Sequence, residues 1–182
     1  ETQKNRELLR DALFFLGNTY TRAAGQDDAR TAEYRSAGIS VLQQFLKRYP
    51  EADLAPKAMN SLGRAQLSMN RYEAAVETFN RLAAEYPDSR EGRNALFSLT
   101  RAALEVEKVD VAVDAMDKML AAAGEYSADE FARIGQLMLD HGRYEEAVRA
   151  FRQVAGATEE RIYLERALYG LGVASFELEE YQ

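Results

Sequence analysis

The stretch that decides the fold is MNSLGRAQLSMNRYEAAVETFNRLAAEYP, residues 59–87. A close copy follows 72 residues later, FARIGQLMLDHGRYEEAVRAFRQVAGATE, residues 131–159. In each copy a glycine, Gly63 or Gly135, lies twelve residues before an Ala-x-x-x-Phe pair. Self-similarity at a fixed period of this size predicts an array of stacked helical repeats.

The position that Gly63 and Gly135 occupy in this pattern, the glycine slot, recurs along most of the chain. It is preceded by a large aliphatic residue in four successive units: Leu62-Gly63, Leu99-Thr100, Ile134-Gly135 and Leu171-Gly172. The steps between the slots are 37, 35 and 37 residues. Apolar residues around each slot recur at helical spacing and are followed by a second amphipathic segment, which predicts pairs of short helices joined by tight turns.

Local signals place the ends of these helices. Tyr49-Pro50 and Tyr86-Pro87 are predicted to end second helices, because proline cannot continue a helix and restricts the residue before it. Asp88 with Glu91, and Ser127 with Glu130, have capping-box spacing. Gly142 suits a turn within a hairpin, since glycine accepts a left-handed backbone.

The predicted architecture is all-α: a right-handed α-α superhelix, or solenoid, of about four and a half hairpins. We expect one array over residues 1–182. Its repeats are predicted at residues 6–50, 56–87, 93–124, 128–159 and 165–182. The first repeat is nine residues longer than the others, and the extra residues fall near 23–31, either in longer helices or in a loop. Insertions in such arrays often carry partner contacts. The last repeat stops halfway, so we expect a piece of a longer chain.

Composition narrows the function classes. The chain has 23 basic and 30 acidic residues, a net charge of -7, which argues against a nucleic-acid partner because such binding needs a clustered basic face. It has no cysteine, so disulfides and thiol chemistry are excluded. No apolar run is long enough to cross a bilayer, and we expect no direct membrane insertion of these residues.

The slots resemble the tetratricopeptide repeat (TPR) family, whose pattern is W-x-x-L-G-x-x-Y, then A-x-x-x-F, then P. The match is best in the two copies quoted above, with Leu62, Gly63, Ala75, Phe79 and Pro87 in the first. The stretch that follows each Tyr-Pro stop resembles repeats of bacterial cell-envelope proteins: outer-membrane assembly lipoproteins, Tol-Pal coordinators and exopolysaccharide-secretion scaffolds. This resemblance implies a periplasmic or outer-membrane-associated protein, with a cytoplasmic location as the alternative.

In TPR arrays the first helices line a concave groove that binds partners. Carried over slot by slot, the resemblance implies a partner-binding groove with nine candidate residues: Phe14, Asn18, Asn60, Arg64, Phe97, Arg101, Arg133, Gln136 and Tyr169. Arg64 and Arg101 share one slot, and Arg133 lies a turn away from it. Such a row can hold an acidic or C-terminal peptide through bidentate carboxylate contacts. The alternative is that these arginines pair with neighbouring carboxylates or are only solvated.

Other functional patterns are weak. The groove positions match only one of the five residues with which chaperone-binding TPRs clamp a C-terminal aspartate. The single histidine, His141, lies beside Gly142 in a predicted turn, without the partners that a general base or a metal site needs. We therefore expect no catalytic residues, no metal and no cofactor.

The sequence thus predicts a non-catalytic scaffold that binds a peptide or a partner domain along the concave groove, in a bacterial envelope complex. Two alternatives stay open. In the first alternative the array is a self-assembly module, because the end faces of a solenoid can stack on a second copy. In the second alternative the array is the regulatory region of a larger enzyme.

Overall fold

The computed structural model describes residues 2–22 and 28–180, and in these ranges the chain is helical between short turns. The α-helices in these ranges are α1 (Gln3–Arg22), α2 (Asp28–Arg48), α3 (Ala55–Ser68), α4 (Tyr72–Glu85), α5 (Arg90–Glu105), α6 (Val109–Ala121), α7 (Ala128–Asp140), α8 (Tyr144–Ala157) and α9 (Arg161–Glu180). A short 3₁₀ helix, Ala123–Glu125, precedes α7. The chain divides into two compact units, residues 1–102 and 103–182, with the boundary inside α5. The predicted fold class, all-α, is confirmed for the described residues.

The core of the first unit forms where α2 and α3 pack on each other and on their hairpin partners. Leu42 and Phe45 on α2, Met59 on α3, and Phe79 and Leu82 on α4 are fully buried. Burying each such side chain contributes roughly 1.5–3 kcal/mol relative to leaving it in water. The large slots of the repeat are therefore core positions, as the pattern predicts.

The glycine slots let the two helices of a hairpin approach closely. A Cβ atom on Gly63 would lie 2.6 Å from the Phe79 ring, and one on Gly135 would lie 2.8 Å from the Phe151 ring. On Gly17 it would lie 2.8 Å from Leu42. A side chain at any of these slots would displace the partner helix's large residue.

The turns that follow α3, α5 and α7 share one geometry. Asn70, Glu107 and Gly142 each have a left-handed backbone, with φ values of 55°, 56° and 68°. The next residue donates its N–H to a carbonyl five positions back, as from Arg143 to Met138 at 2.8 Å. This is a Schellman motif, which satisfies the last carbonyls of the first helix. The prediction that Gly142 occupies a turn is confirmed.

The predicted helix stops are confirmed, and one predicted start is wrong. α2 ends before Tyr49-Pro50 and α4 ends before Tyr86-Pro87. The Tyr86 hydroxyl donates to the Pro50 carbonyl at 3.1 Å, so the two stops contact each other. Successive hairpins of the first unit are thereby joined at their proline ends.

The N-terminal caps of α7 and α5 can be compared with the predicted helix starts. Ser127 and Glu130 form the expected capping box at α7, with the Glu130 N–H donating to the Ser127 hydroxyl. At α5 the cap is Ser89, which accepts the Gly92 N–H at 2.9 Å, and not Asp88. The helix begins at Arg90, one residue later than the Asp88–Glu91 spacing implied, because the Tyr86-Pro87 turn extends through Ser89.

The first hairpin carries its extra length partly as helix. α1 has 20 residues and α2 has 21, against 14 each in α3 and α4. Of the predicted expansion at 23–31, residues 23–27 lie outside the described residues, and 28–31 belong to α2. Just after these residues α2 packs on α1, where the Tyr34 ring stacks on Tyr20 with 5.8 Å between centroids.

In the second unit α8 packs against both α7 and α9. Phe131, Ile134 and Met138 of α7 and Phe151 and Val154 of α8 are fully buried. Arg149 on α8 forms an ion pair with Asp117 on α6 at 2.7 Å.

Candidate partner-binding cleft

A cleft of about 560 Å³ opens in the first unit, with walls from α1, α2, α3 and α5. Its lining is polar apart from two residues: Phe14, Asn18, Thr21, Arg22, Arg35, Lys57, Asn60, Ser61, Arg64, Ala65, Ser68 and Glu91. Four of the nine predicted groove residues, Phe14, Asn18, Asn60 and Arg64, are brought together here.

The sequence of α3 explains why one of its faces lines the cleft. Lys57, Asn60, Ser61 and Arg64 follow one another at steps of three, one and three residues, which places them on one side of a helix. The positions between them are apolar and buried, including Met59 and Leu62. The hydrophobic face packs inward, and the polar face is left for the cleft.

The floor of the cleft joins α1 to α3. The Ser61 hydroxyl donates to the Asn18 side-chain oxygen at 2.9 Å. Phe14 lies one turn before Asn18, and only 6% of its surface is exposed. Its ring packs on Phe15 and Phe45, with centroids 5.3 and 5.9 Å apart. Phe14 therefore supports the floor from the core, and the exposed ring is that of Phe15.

Arg35 reaches the cleft from α2, and sequence reasoning missed it because the slot rule assigns the groove to first helices alone. A Cβ on Gly38 would lie 2.6 Å from the backbone nitrogen of Thr21, so α2 approaches α1 closely there. Arg35 stands one turn before Gly38 on the same helix face. The glycine at position 38 was the available signal for this approach. Lys57 and Glu91 were also missed.

The charge of the lining differs in sign from that of the whole chain. It carries four cations, Arg22, Arg35, Lys57 and Arg64, and one carboxylate, Glu91. None of these four cations forms an ion pair or a side-chain hydrogen bond with another residue of the described ranges. Elsewhere, side-chain hydrogen bonds to Asp11 and Glu85 raise the pKa values of Arg10 and Arg81 above their usual value.

The other predicted groove residues lie apart from this cleft. Phe97 and Arg101 are on α5 and do not line it. In the second unit, Arg133 pairs with Asp129 at 3.1 Å, and the Gln136 amide donates to Asp140 at 2.7 Å. Tyr169 on α9 is 73% exposed. Arg133 thus pairs with a nearby carboxylate, whereas Arg64 is exposed and has no carboxylate partner among the described residues.

One face of α9 is apolar and exposed. Its large exposed side chains are Ile162, Leu168, Tyr169 and Phe176. Gly172 holds the glycine slot on this helix, yet a Cβ there would meet no atom within 4 Å. Gly170, two residues earlier, packs directly against the Phe151 ring. Within the described residues α9 is thus covered on one face and open on the other.

His141 is an exposed cap residue, and its Nδ1–H donates to the Leu137 carbonyl at 2.9 Å. Over residues 2–22 and 28–180, no three His, Asp or Glu side chains are grouped so that they could hold a metal ion. No helix in the same ranges is long and apolar enough to span a membrane.

Comparison with known proteins decides the family. A family model described as tetratricopeptide repeat matches residues 23–90, 61–130 and 132–182, which is most of the chain. The chain belongs to the tetratricopeptide repeat family. No curated protein sequence matches closely enough to count as a relative.

Solved structures share the TPR fold at low sequence identity. A MamA crystal structure superposes with a TM-score of 0.68 at 18% identity, covering 93% of this chain and 82% of that one. A TPR protein from Parabacteroides merdae gives 0.69 at 14%, covering 94% and 61%. The TPR protein TTC0263 of Thermus thermophilus gives 0.53 at 17%, covering 92% and 91%. These identities show the fold alone.

Proposed function

We propose that this TPR chain is a non-catalytic scaffold that binds a protein partner through the cleft of its first unit. One observation carries the proposal: the cleft collects cations, amides and hydroxyls from three helices, and its four cations have no side-chain partner among the described residues. Such groups bind the polar atoms of a peptide. The TPR fold is typical of protein-interaction scaffolds.

The chemistry of the cleft supports binding in preference to catalysis. The Ser61 hydroxyl donates a hydrogen bond to the amide oxygen of Asn18. An amide cannot accept a proton as a general base, so this pair does not activate the hydroxyl as a nucleophile. The remaining polar residues of α3 in the cleft are hydrogen-bond donors suited to recognition.

The experiment is a pull-down from lysate of the source organism with the protein as bait. We compare the wild type with the double variant Arg35→Glu with Arg64→Glu, which reverses two cations of the cleft, and with Arg152→Glu as a control on the exposed surface of α8. We expect the wild type and the control to bind proteins that the double variant does not bind. If the double variant retains every protein that the wild type binds, the cleft does not bind the partner.

Self-association is the second candidate function, and the open face of α9 favours it. Leu168, Tyr169 and Phe176 are 63%, 73% and 61% exposed, although apolar side chains at helical spacing normally pack on another helix. A second copy can cover this face. Light scattering over a range of concentrations decides: a mass that rises with concentration in the wild type and stays monomeric in Phe176→Ser supports association.

We further propose that the scaffold works in a bacterial envelope complex. Support comes from the Tyr49-Pro50 and Tyr86-Pro87 stops, each followed by an acidic residue, in the style of envelope repeats. The test is fractionation of the tagged full-length protein. Recovery with the periplasm or the outer membrane is expected, and recovery in the cytoplasm contradicts the proposal. The full-length sequence decides whether the array belongs to a larger enzyme.

A further inference from the structure

We infer that the cleft of the first unit binds an acidic peptide segment of its partner, an inference that rests on the proposed function and names the chemistry of the ligand. The lining holds four cations against one carboxylate, whereas the whole chain carries 23 basic and 30 acidic residues. Positive charge is thus concentrated in a concave site of an acidic protein. A cleft lined by one sign of charge attracts ligands of the other sign.

The cleft cations are available because none of them forms an ion pair within the described residues. Other arginines of this protein do form such pairs, as Arg81 does with Glu85 at 2.6 Å and Arg149 with Asp117 at 2.7 Å. Arg35 and Arg64 have no such partner among the described residues. A ligand carboxylate can therefore form charge-assisted hydrogen bonds with them without breaking an existing ion pair.

The neutral groups of the cleft favour a peptide over other polyanions. Ser61 occupies the side-chain oxygen of Asn18, which leaves the Asn18 amide nitrogen as a donor. Asn60 adds a second amide. Amide donors suit peptide carbonyls and cations suit carboxylates, and an acidic peptide offers both. The net charge of -7 repels a long nucleic acid or an anionic bilayer outside the cleft.

The expanded first hairpin supplies half of the positive charge. Arg22 ends α1 and Arg35 lies on α2 beyond the added residues, so these two cations flank the expansion. Lys57 and Arg64 come from α3, which has the ordinary repeat length. The first hairpin and α3 therefore contribute two cations each to the cleft.

The test measures binding of a fluorescein-labelled, C-terminally amidated decapeptide of glutamate by fluorescence anisotropy, with the glutamine decapeptide as the matched probe. Three variants are compared with the wild type: Arg35→Gln with Arg64→Gln, Glu91→Gln, and Arg152→Gln as a control outside the cleft. We expect the double variant to bind about tenfold more weakly, because two charge contacts are lost. We expect Glu91→Gln to bind about two- to threefold more tightly, because a repelling carboxylate is removed.

Binding of the glutamate peptide should also weaken several-fold when the salt is raised from about 0.05 to about 0.3 M, a readout that needs no variant. The inference is overturned if the two decapeptides bind equally, or if Arg152→Gln weakens binding as much as the double variant. It is also overturned if a ten-nucleotide single-stranded DNA or a phosphatidylserine vesicle binds more tightly than the peptide. In each of these cases, a pull-down partner that is lost from the double variant Arg35→Glu with Arg64→Glu would leave the proposed function standing.

Discussion

Gly135 on α7 and Gly172 on α9 occupy the same slot of the repeat, and their surroundings are opposite. A Cβ on Gly135 would lie 2.8 Å from the Phe151 ring, whereas one on Gly172 would meet nothing within 4 Å. The slot specifies a small residue on a helix face. Only the second helix of the hairpin, which carries the aromatic ring, makes that face part of a core.

Phe151 packs between the helices of the second unit. Its ring is fully buried, and it contacts both Gly135 on α7 and Gly170 on α9. We expect Phe151→Ala to lower the free energy of unfolding by about 3–5 kcal/mol, through lost burial and the cavity left behind. Urea denaturation followed by circular dichroism measures the loss. A cost below about 1 kcal/mol would show that the three helices are not held by this ring.

Gly170→Ala tests the covered face of α9. The added Cβ would overlap the Phe151 ring, so the ring or the helix must shift. We expect a loss of about 1–3 kcal/mol, which is typical of overpacking in a close-packed core. The same denaturation experiment applies. A variant as stable as the wild type would mean that α9 can move away from α8 at little cost.

Gly172→Ala is the matched control two residues along the same helix. Its Cβ meets no described atom, so only the helix propensity changes. Because glycine is disfavoured within a helix, we expect a gain of about 0.5–1 kcal/mol for α9. Slower amide hydrogen exchange in α9 than in the wild type would show this gain in helix stability. A loss instead of a gain would indicate that the open face packs on a second copy in solution.

Phe176→Ser gives the smallest expected effect and completes the contrast with Phe151. Phe176 is 61% exposed, so its removal takes little apolar surface out of a core. We expect the free energy of unfolding of dilute monomer to change by less than about 0.5 kcal/mol. A cost that grows with protein concentration would be the signature of self-association through α9.

Features of the fold that depend on neighbouring residues follow correctly from the sequence. The stops at Tyr86-Pro87, the capping box at Ser127 and the turn at Gly142 each depend on residues within one helical turn. The start of α5 was misplaced by one residue. Asp88 and Ser89 are both good caps, and the extent of the preceding turn chose between them.

The cleft was predictable in part, for a different reason. The polar face of α3 follows from helical spacing, and its residues Asn60 and Arg64 line the cleft. Arg35 could not be found in this way, because its position depends on how closely α2 approaches α1 at Gly38. Phe14 and Phe15 are adjacent in sequence, and packing buries the first and exposes the second.

The sequence by itself determined the repeat, the helices, their apolar faces and most of their ends, because periodicity, proline stops and glycine turns act over a few residues. The tertiary structure decided which glycine slots are closed, as at Gly135, and which are open, as at Gly172. It also decided that Arg64 is unpaired among the described residues while Arg133 is bound to Asp129. Burial and ion pairing depend on neighbours that only folding brings within contact distance.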